Sequence, residues 1–112
     1  MYESPVTDAD FDDEVLGSDI PVLVDFWSPG CRPCVVMGRI AEQLAAELEG
    51  RVKVVTANVI DAQEAAQRYG VFRVPSMLIV SGGRVASQLS GLRTREELLD
   101  ALAPTMLAPT TE

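Results

Sequence analysis

Cys31 and Cys34 are the only cysteines in the chain, and two residues separate them. Such a pair can exchange with another disulfide, lend two thiolates to a metal, or form a static cross-link. The sequence contains no His. That excludes Ser–His and Cys–His catalysis, His-bearing metal sites and imidazole-based pH switching. A zinc site needs about four N or S ligands, so only a dimer could complete a Cys₄ set. A static link closing so short a loop stabilises by only about 2 kcal/mol in the chain-entropy model. Redox exchange is the reading in which both thiols of one chain act together, and it calls for neither metal nor cofactor.

The pair sits between two well-marked elements. Pro21–Trp27 is β-rich and apolar nearly throughout, as a strand buried on both faces requires. The cluster Ser28-Pro29-Gly30 turns the chain. Val36, Ile40, Leu44 and Leu48 then recur every four residues with Met37, Ala41 and Ala45 alongside, one face of a long helix closed by Gly50. Cys31 falls at the first turn of that helix. There the N–H groups lack intrahelical partners and the helix dipole is positive, so a thiolate is favoured over a thiol. The thiolate is the attacking species in disulfide exchange, which makes Cys31 the nucleophile. Cys34, one turn further in, is the resolving thiol. Arg32 adds positive charge beside Cys31, and Pro33 suits a helix start because its missing N–H is not needed there.

The remaining elements alternate. Phe11–Leu16 reads as a short helix capped by Thr7 or Asp8 and ended by Gly17. Val52–Val55, continuing to Val59, is a strand; Asp61 or Ala62 to Tyr69 is a helix stopped by Gly70. Met77–Val80 and Val85–Leu89 flank Gly82-Gly83, a tight hairpin turn. Thr94-Arg95-Glu96-Glu97 is a capping box opening a last helix that Pro104 follows. Tyr2–Val6 is a candidate edge strand weakened by Pro5. The order α, β, α, β, α, β, β, α implies an α/β fold, a mixed central sheet with helices on both faces in three layers. Residues 1–104 read as one domain and 105–112 as a loose tail.

Composition narrows the partners. The chain has 112 residues, 47% hydrophobic and 23% charged, a globular balance. Its net charge is −8, with no positive footprint for nucleic acid or anionic lipid. Residues 1–30 carry Glu3, Asp8, Asp10, Asp12, Asp13, Glu14, Asp19 and Asp25 and no base at all. That run reads as a solvated helix face, with a docking surface as the other option. No secretory signal is recognisable, and the longest apolar runs fall far short of the roughly 18–20 residues that span a bilayer. A cytoplasmic monomer is expected.

Val24-Asp25-Phe26-Trp27, Cys31-Arg32-Pro33-Cys34, Tyr69-Gly70, Val74-Pro75-Ser76, Gly83 and Gly91 together resemble the thioredoxin family, over about Thr7 to Ala103. The resemblance implies a thioredoxin-like three-layer sandwich and a protein disulfide reductase with a redox-active Cys31–Cys34 disulfide. It implies that Pro75 is a cis-proline facing that disulfide and that the Val74 backbone pairs with the substrate chain. Asp25 becomes the proton shuttle for Cys34, and Trp27 the aromatic beside the disulfide. Gly30, Pro33 and Gly91 join the substrate-binding rim. The implied partners are disulfide-containing proteins and a thioredoxin-reductase-type electron donor. A thiol oxidant or isomerase, and a non-catalytic docking subunit, are the alternatives.

Three positions depart from the family pattern. Gly30 stands where Trp is usual before the first Cys, Arg32 where Gly is usual, and Thr56 where a Lys normally lies near the buried Asp. Without that cation, Asp25 is expected to stay protonated well above neutral pH. Arg32, Arg73 and Arg93 are expected to form a basic rim, giving a preference for substrates with acidic residues near their disulfide.

Overall fold

The computed structural model describes residues 4–106. Five strands form one mixed sheet: β1 (Ser4–Pro5), β2 (Val22–Trp27), β3 (Lys53–Asn58), β4 (Ser76–Ser81) and β5 (Arg84–Ser90), in the spatial order β1-β3-β2-β4-β5. β1, β3 and β2 run parallel, while β4 is antiparallel to both β2 and β5. The helices are α1 (Arg32–Glu47), α2 (Gln63–Arg68) and α3 (Arg95–Met106), preceded by a π-helical turn at Asp12–Leu16.

Alternation along β2 divides the core into two. Val22, Val24 and Phe26 pack with Phe11, Val15 and the alanines of α2 on one face. Leu23 packs with Met37, Ala41 and Leu44 of α1 and Leu98 and Leu102 of α3 on the other. Both faces of the central strands are therefore covered, which is why β2 and β4 read as continuous apolar runs. The Gly82-Gly83 turn has φ of +61° and +79°, the geometry of a two-residue hairpin that matches strand twist.

Several sequence expectations need correction. Val36 is exposed, whereas Met37, Ala41, Leu44 and Leu48 of the expected face are buried and Ile40 and Ala45 pack against them; Cys34 joins the buried stripe in place of Val36. The first short helix is one π turn, closed by the Gly17 N–H donating to Asp12 O. Asp8 does not cap it. Its carboxylate instead accepts the Glu64 and Ala65 N–H groups, both at 3.0 Å, and so caps α2 from 56 residues away in sequence. The acidic run is also more than a solvated face: Asp12 pairs with Arg68 at 2.8 Å and Glu14 with Lys53 at 2.6 Å. The Asp12 hydrogen bond raises the Arg68 pKa above its ordinary value, with the Tyr69 contact adding to it.

The capping box is formed as expected, Thr94 Oγ1 accepting the Glu97 N–H and the Glu97 carboxylate accepting the Thr94 N–H. α3 does not stop before Pro104, however. It runs through Pro104 to Met106, so Thr105 and Met106 belong to the helix and not to a tail. Proline in the last turn removes only one backbone bond, and buried Leu102 with half-buried Met106 holds that turn on the sheet. The edge strand exists as Ser4–Pro5, paired with Val55 and Thr56. Tyr2 and Glu3 from that expected strand, and residues 107–112 of the expected tail, lie outside the described residues.

Candidate functional site

The C-terminal end of β2 and the N-terminal end of α1 place Cys31 and Cys34 at one end of the central strand. The two are joined in a disulfide with Cα atoms 5.2 Å apart. Cys31 is the N-cap residue of α1, extended in backbone, and its Sγ accepts the Cys34 N–H at 3.2 Å. A sulfur there takes up one of the helix's unpaired donors, and the same contact favours a negative sulfur. Pro33 occupies the first turn, where no N–H is needed. Cys31 is half-buried and Cys34 buried, so the first cysteine is the more accessible of the two.

Gly30 adopts φ of +81°, a left-handed backbone that L side chains rarely take. The turn from β2 into α1 is thus built on a glycine, and a Cβ there would meet nothing within 4 Å. A cleft of about 270 Å³ opens beside the disulfide, lined among others by Asp25, Trp27, Gly30, Cys31, Cys34 and Thr56. Asp25 is 2% exposed and lies directly opposite Thr56 in the β2–β3 register. A buried carboxyl thus lines the same cleft as the disulfide.

The Val74–Pro75 peptide bond is cis. β4 starts immediately after it, with Ser76 paired to Phe26 of β2, so the cis bond lies at the same sheet end as Trp27 and the cysteines. The Gly91 N–H donates to Pro75 O at 2.8 Å and ties the end of β5 to that turn. Arg32 and Arg73 are exposed at this end, as are Pro33 and Gly30. Asp25, Trp27, Gly30, Cys31 and Cys34 share one cleft; Arg73, Val74, Pro75 and Gly91 do not line it but border the same end of the molecule.

The apolar surface near the pair was not singled out from the sequence. Phe72 is 93% exposed and Leu92 55%, each next to an arginine, and Val35 follows Cys34 on the outer face of α1. The available signal was a large apolar residue outside any periodic run, Phe72 lying in the loop between α2 and β4. Among the described residues no group of three or more His, Cys, Asp and Glu side chains could hold a metal. No helix among them is long and apolar enough to cross a membrane.

Comparison with known proteins agrees with this arrangement. The sequence profile of the family described as Thioredoxin matches residues 3–104. Thioredoxin 1 of Nostoc sp. is 38% identical over 97 residues, covering 87% of this chain and 91% of that protein. Thioredoxin of Haemophilus influenzae is 39% identical over 93 residues, covering 83% and 87%. Thioredoxin of Chlorobaculum thiosulfatiphilum is 44% identical over 85 residues, covering 76% and 79%. With a disulfide at the start of a helix, a cis-proline at the same sheet end and a match along nearly its whole length, the chain belongs to the thioredoxin family.

Proposed function

We propose that this thiol–disulfide oxidoreductase works as a protein disulfide reductase, with Cys31 as nucleophile, Cys34 as resolving thiol and Asp25 as proton shuttle. The observation that carries this is the Cys31–Cys34 disulfide capping α1, with Cys31 half-buried and Cys34 buried. In the reduced form the Cys31 thiolate attacks one sulfur of a substrate disulfide. A mixed disulfide forms, and the other substrate sulfur leaves as a thiolate. The ionised form of Asp25 takes the proton of Cys34, and the Cys34 thiolate attacks Cys31 Sγ. The intramolecular disulfide closes, the second substrate thiol departs, and two electrons have passed to the substrate.

The other residues take positioning roles in this scheme. Val74, held before cis-Pro75, offers backbone for a substrate strand, and Trp27, Gly30, Pro33, Arg32, Arg73 and Gly91 form the contact rim. A thioredoxin-reductase-type donor returns the dithiol. We place the protein in the cytoplasm as a monomer whose single domain runs through the end of α3 at Met106.

The scheme is tested by trapping. A Cys34→Ser variant is expected to accumulate a mixed disulfide with a substrate protein through Cys31, whereas Cys31→Ser forms none and reduces nothing. Trapping through Cys34 in the Cys31→Ser variant, at a rate matching the other, would reverse the assigned roles.

A further inference from the structure

The reactive end of the sheet carries three arginines that join no ion pair among the described residues. Three loops meet there: 27–31 entering α1, 73–75 entering β4, and 91–94 leaving β5. Ser76 pairs with Phe26 on one side and Ser90 on the other, and the Gly91 N–H is bonded to Pro75 O. The Arg93 N–H donates to Met37 Sδ at 3.3 Å, which brings the third loop against the start of α1. Each loop or its immediate continuation carries an arginine: Arg32, Arg73 and Arg93.

Arg32 and Arg73 are exposed. The Arg93 guanidinium is aimed by Ser90 O, which accepts from Nε at 3.2 Å and from Nη2 at 3.1 Å. Two of its five N–H donors are used, and three are left for an incoming carboxylate. None of these three arginines joins an ion pair among the described residues, in contrast to Lys53, Arg68 and Arg95. Of the acids at this end, Asp61 and Asp8 stand beyond β3, while Glu96 and Glu97 lie in the first turn of α3 just after the third loop, the Glu97 carboxylate taken up by the Thr94 N–H. Asp61 follows β3, its carbonyl accepting the Asp8 N–H, and the Asp8 carboxylate is already bound to the start of α2. Three guanidiniums outside any ion pair among the described residues thus stand on the loops around the disulfide, on a chain of net charge −8.

Resting on the reductase reading, we propose that Arg32, Arg73 and Arg93 select polypeptide substrates whose disulfide is flanked by Asp or Glu. The acidic flank sits over the β4–β5 side, and exposed Phe72 and Leu92, adjoining Arg73 and Arg93, take the apolar residues of the same segment. Unpaired guanidiniums bind carboxylates by charge-assisted, often bidentate contacts, while the net negative charge elsewhere disfavours non-productive encounters with acidic chains. Exposed charges act over about one Debye length, so the local collar outweighs the distant acids at ordinary salt.

The test compares two disulfide peptides that differ only in carrying Glu or Lys beside each cysteine. Reduction by the protein dithiol is measured against uncharged hydroxyethyl disulfide as reference. The Glu peptide is expected to react about fivefold faster at low salt, and the gap to close near 1 M salt, where the Debye length falls to about 3 Å. Arg73→Glu combined with Arg93→Glu reverses the preference, and the matching Lys variants retain it. Equal wild-type rates on the two peptides, or a preference indifferent to salt, overturn the proposal and leave the reductase reading standing. That comparison needs no variant to fold. Failure to reduce either peptide and the reference disulfide overturns the reductase reading, and the preference with it.

Discussion

Cys31 and Cys34 differ in what surrounds each sulfur, and the division of labour proposed for them rests on that difference. The Cys31 sulfur receives a backbone N–H at the helix start and has Arg32 as its neighbour, so its thiolate is stabilised. A stabilised thiolate favours the reduced form. If Arg32 contributes about 1 kcal/mol, Arg32→Gly lowers the potential by about 20 mV, read in dithiothreitol and glutathione buffers. An unchanged potential would show that solvent screens this exposed guanidinium fully. Asp25 gives a second prediction. It is 2% exposed, and taking a charged carboxylate out of water is costly. Asp25→Asn is expected to raise the denaturation midpoint at neutral pH while slowing resolution of the mixed disulfide. A lower midpoint, or unchanged resolution, would contradict this. The reactive pair was legible because cysteine chemistry depends on spacing and a helix start, both written locally. Phe72 and Leu92 were not, because exposure is decided by how loops from distant parts of the chain converge.

At the scale of elements, local signals worked wherever one residue type does one job. The Thr94–Glu97 capping box and the Gly82-Gly83 turn formed as read, since each depends on four or fewer consecutive residues. Asp8 shows where such reading ends. Asp8 has the composition of a local N-cap, but tertiary packing brings the start of α2 to it instead. The cost of removing it is predictable: Asp8→Ala is expected to destabilise by about 1 kcal/mol, seen as a lower urea midpoint with unchanged slope. The loss should exceed that of Asp10→Ala, since Asp10 accepts only the Thr7 amide and hydroxyl close by in sequence. Pro104 is the opposite case. A strong local stop signal gave way to the packing of Leu102 and Met106 against the sheet.

Across the whole molecule, the sheet order β1-β3-β2-β4-β5 turns residues remote in sequence into one site. Alternating strands and helices made the three layers readable, and the two apolar faces of β2 required both of them. The charge layout was less readable, because the acids of residues 1–30 disperse into an α2 cap and pairs with Lys53 and Arg68. A redox-active disulfide must also leave a trace in global stability. The oxidised form is expected to exceed the dithiol by about 2 kcal/mol, the entropy of closing this short loop in the unfolded chain. Urea unfolding of the two forms checks that figure. The most direct measurement of the central claim is the equilibrium potential of the Cys31–Cys34 pair, followed by Trp27 fluorescence in thiol buffers. A reductase predicts a reversible transition at about −270 mV. A value of about −120 to −180 mV would assign the protein to oxidation or isomerisation, and the absence of any reversible transition would contradict redox function altogether.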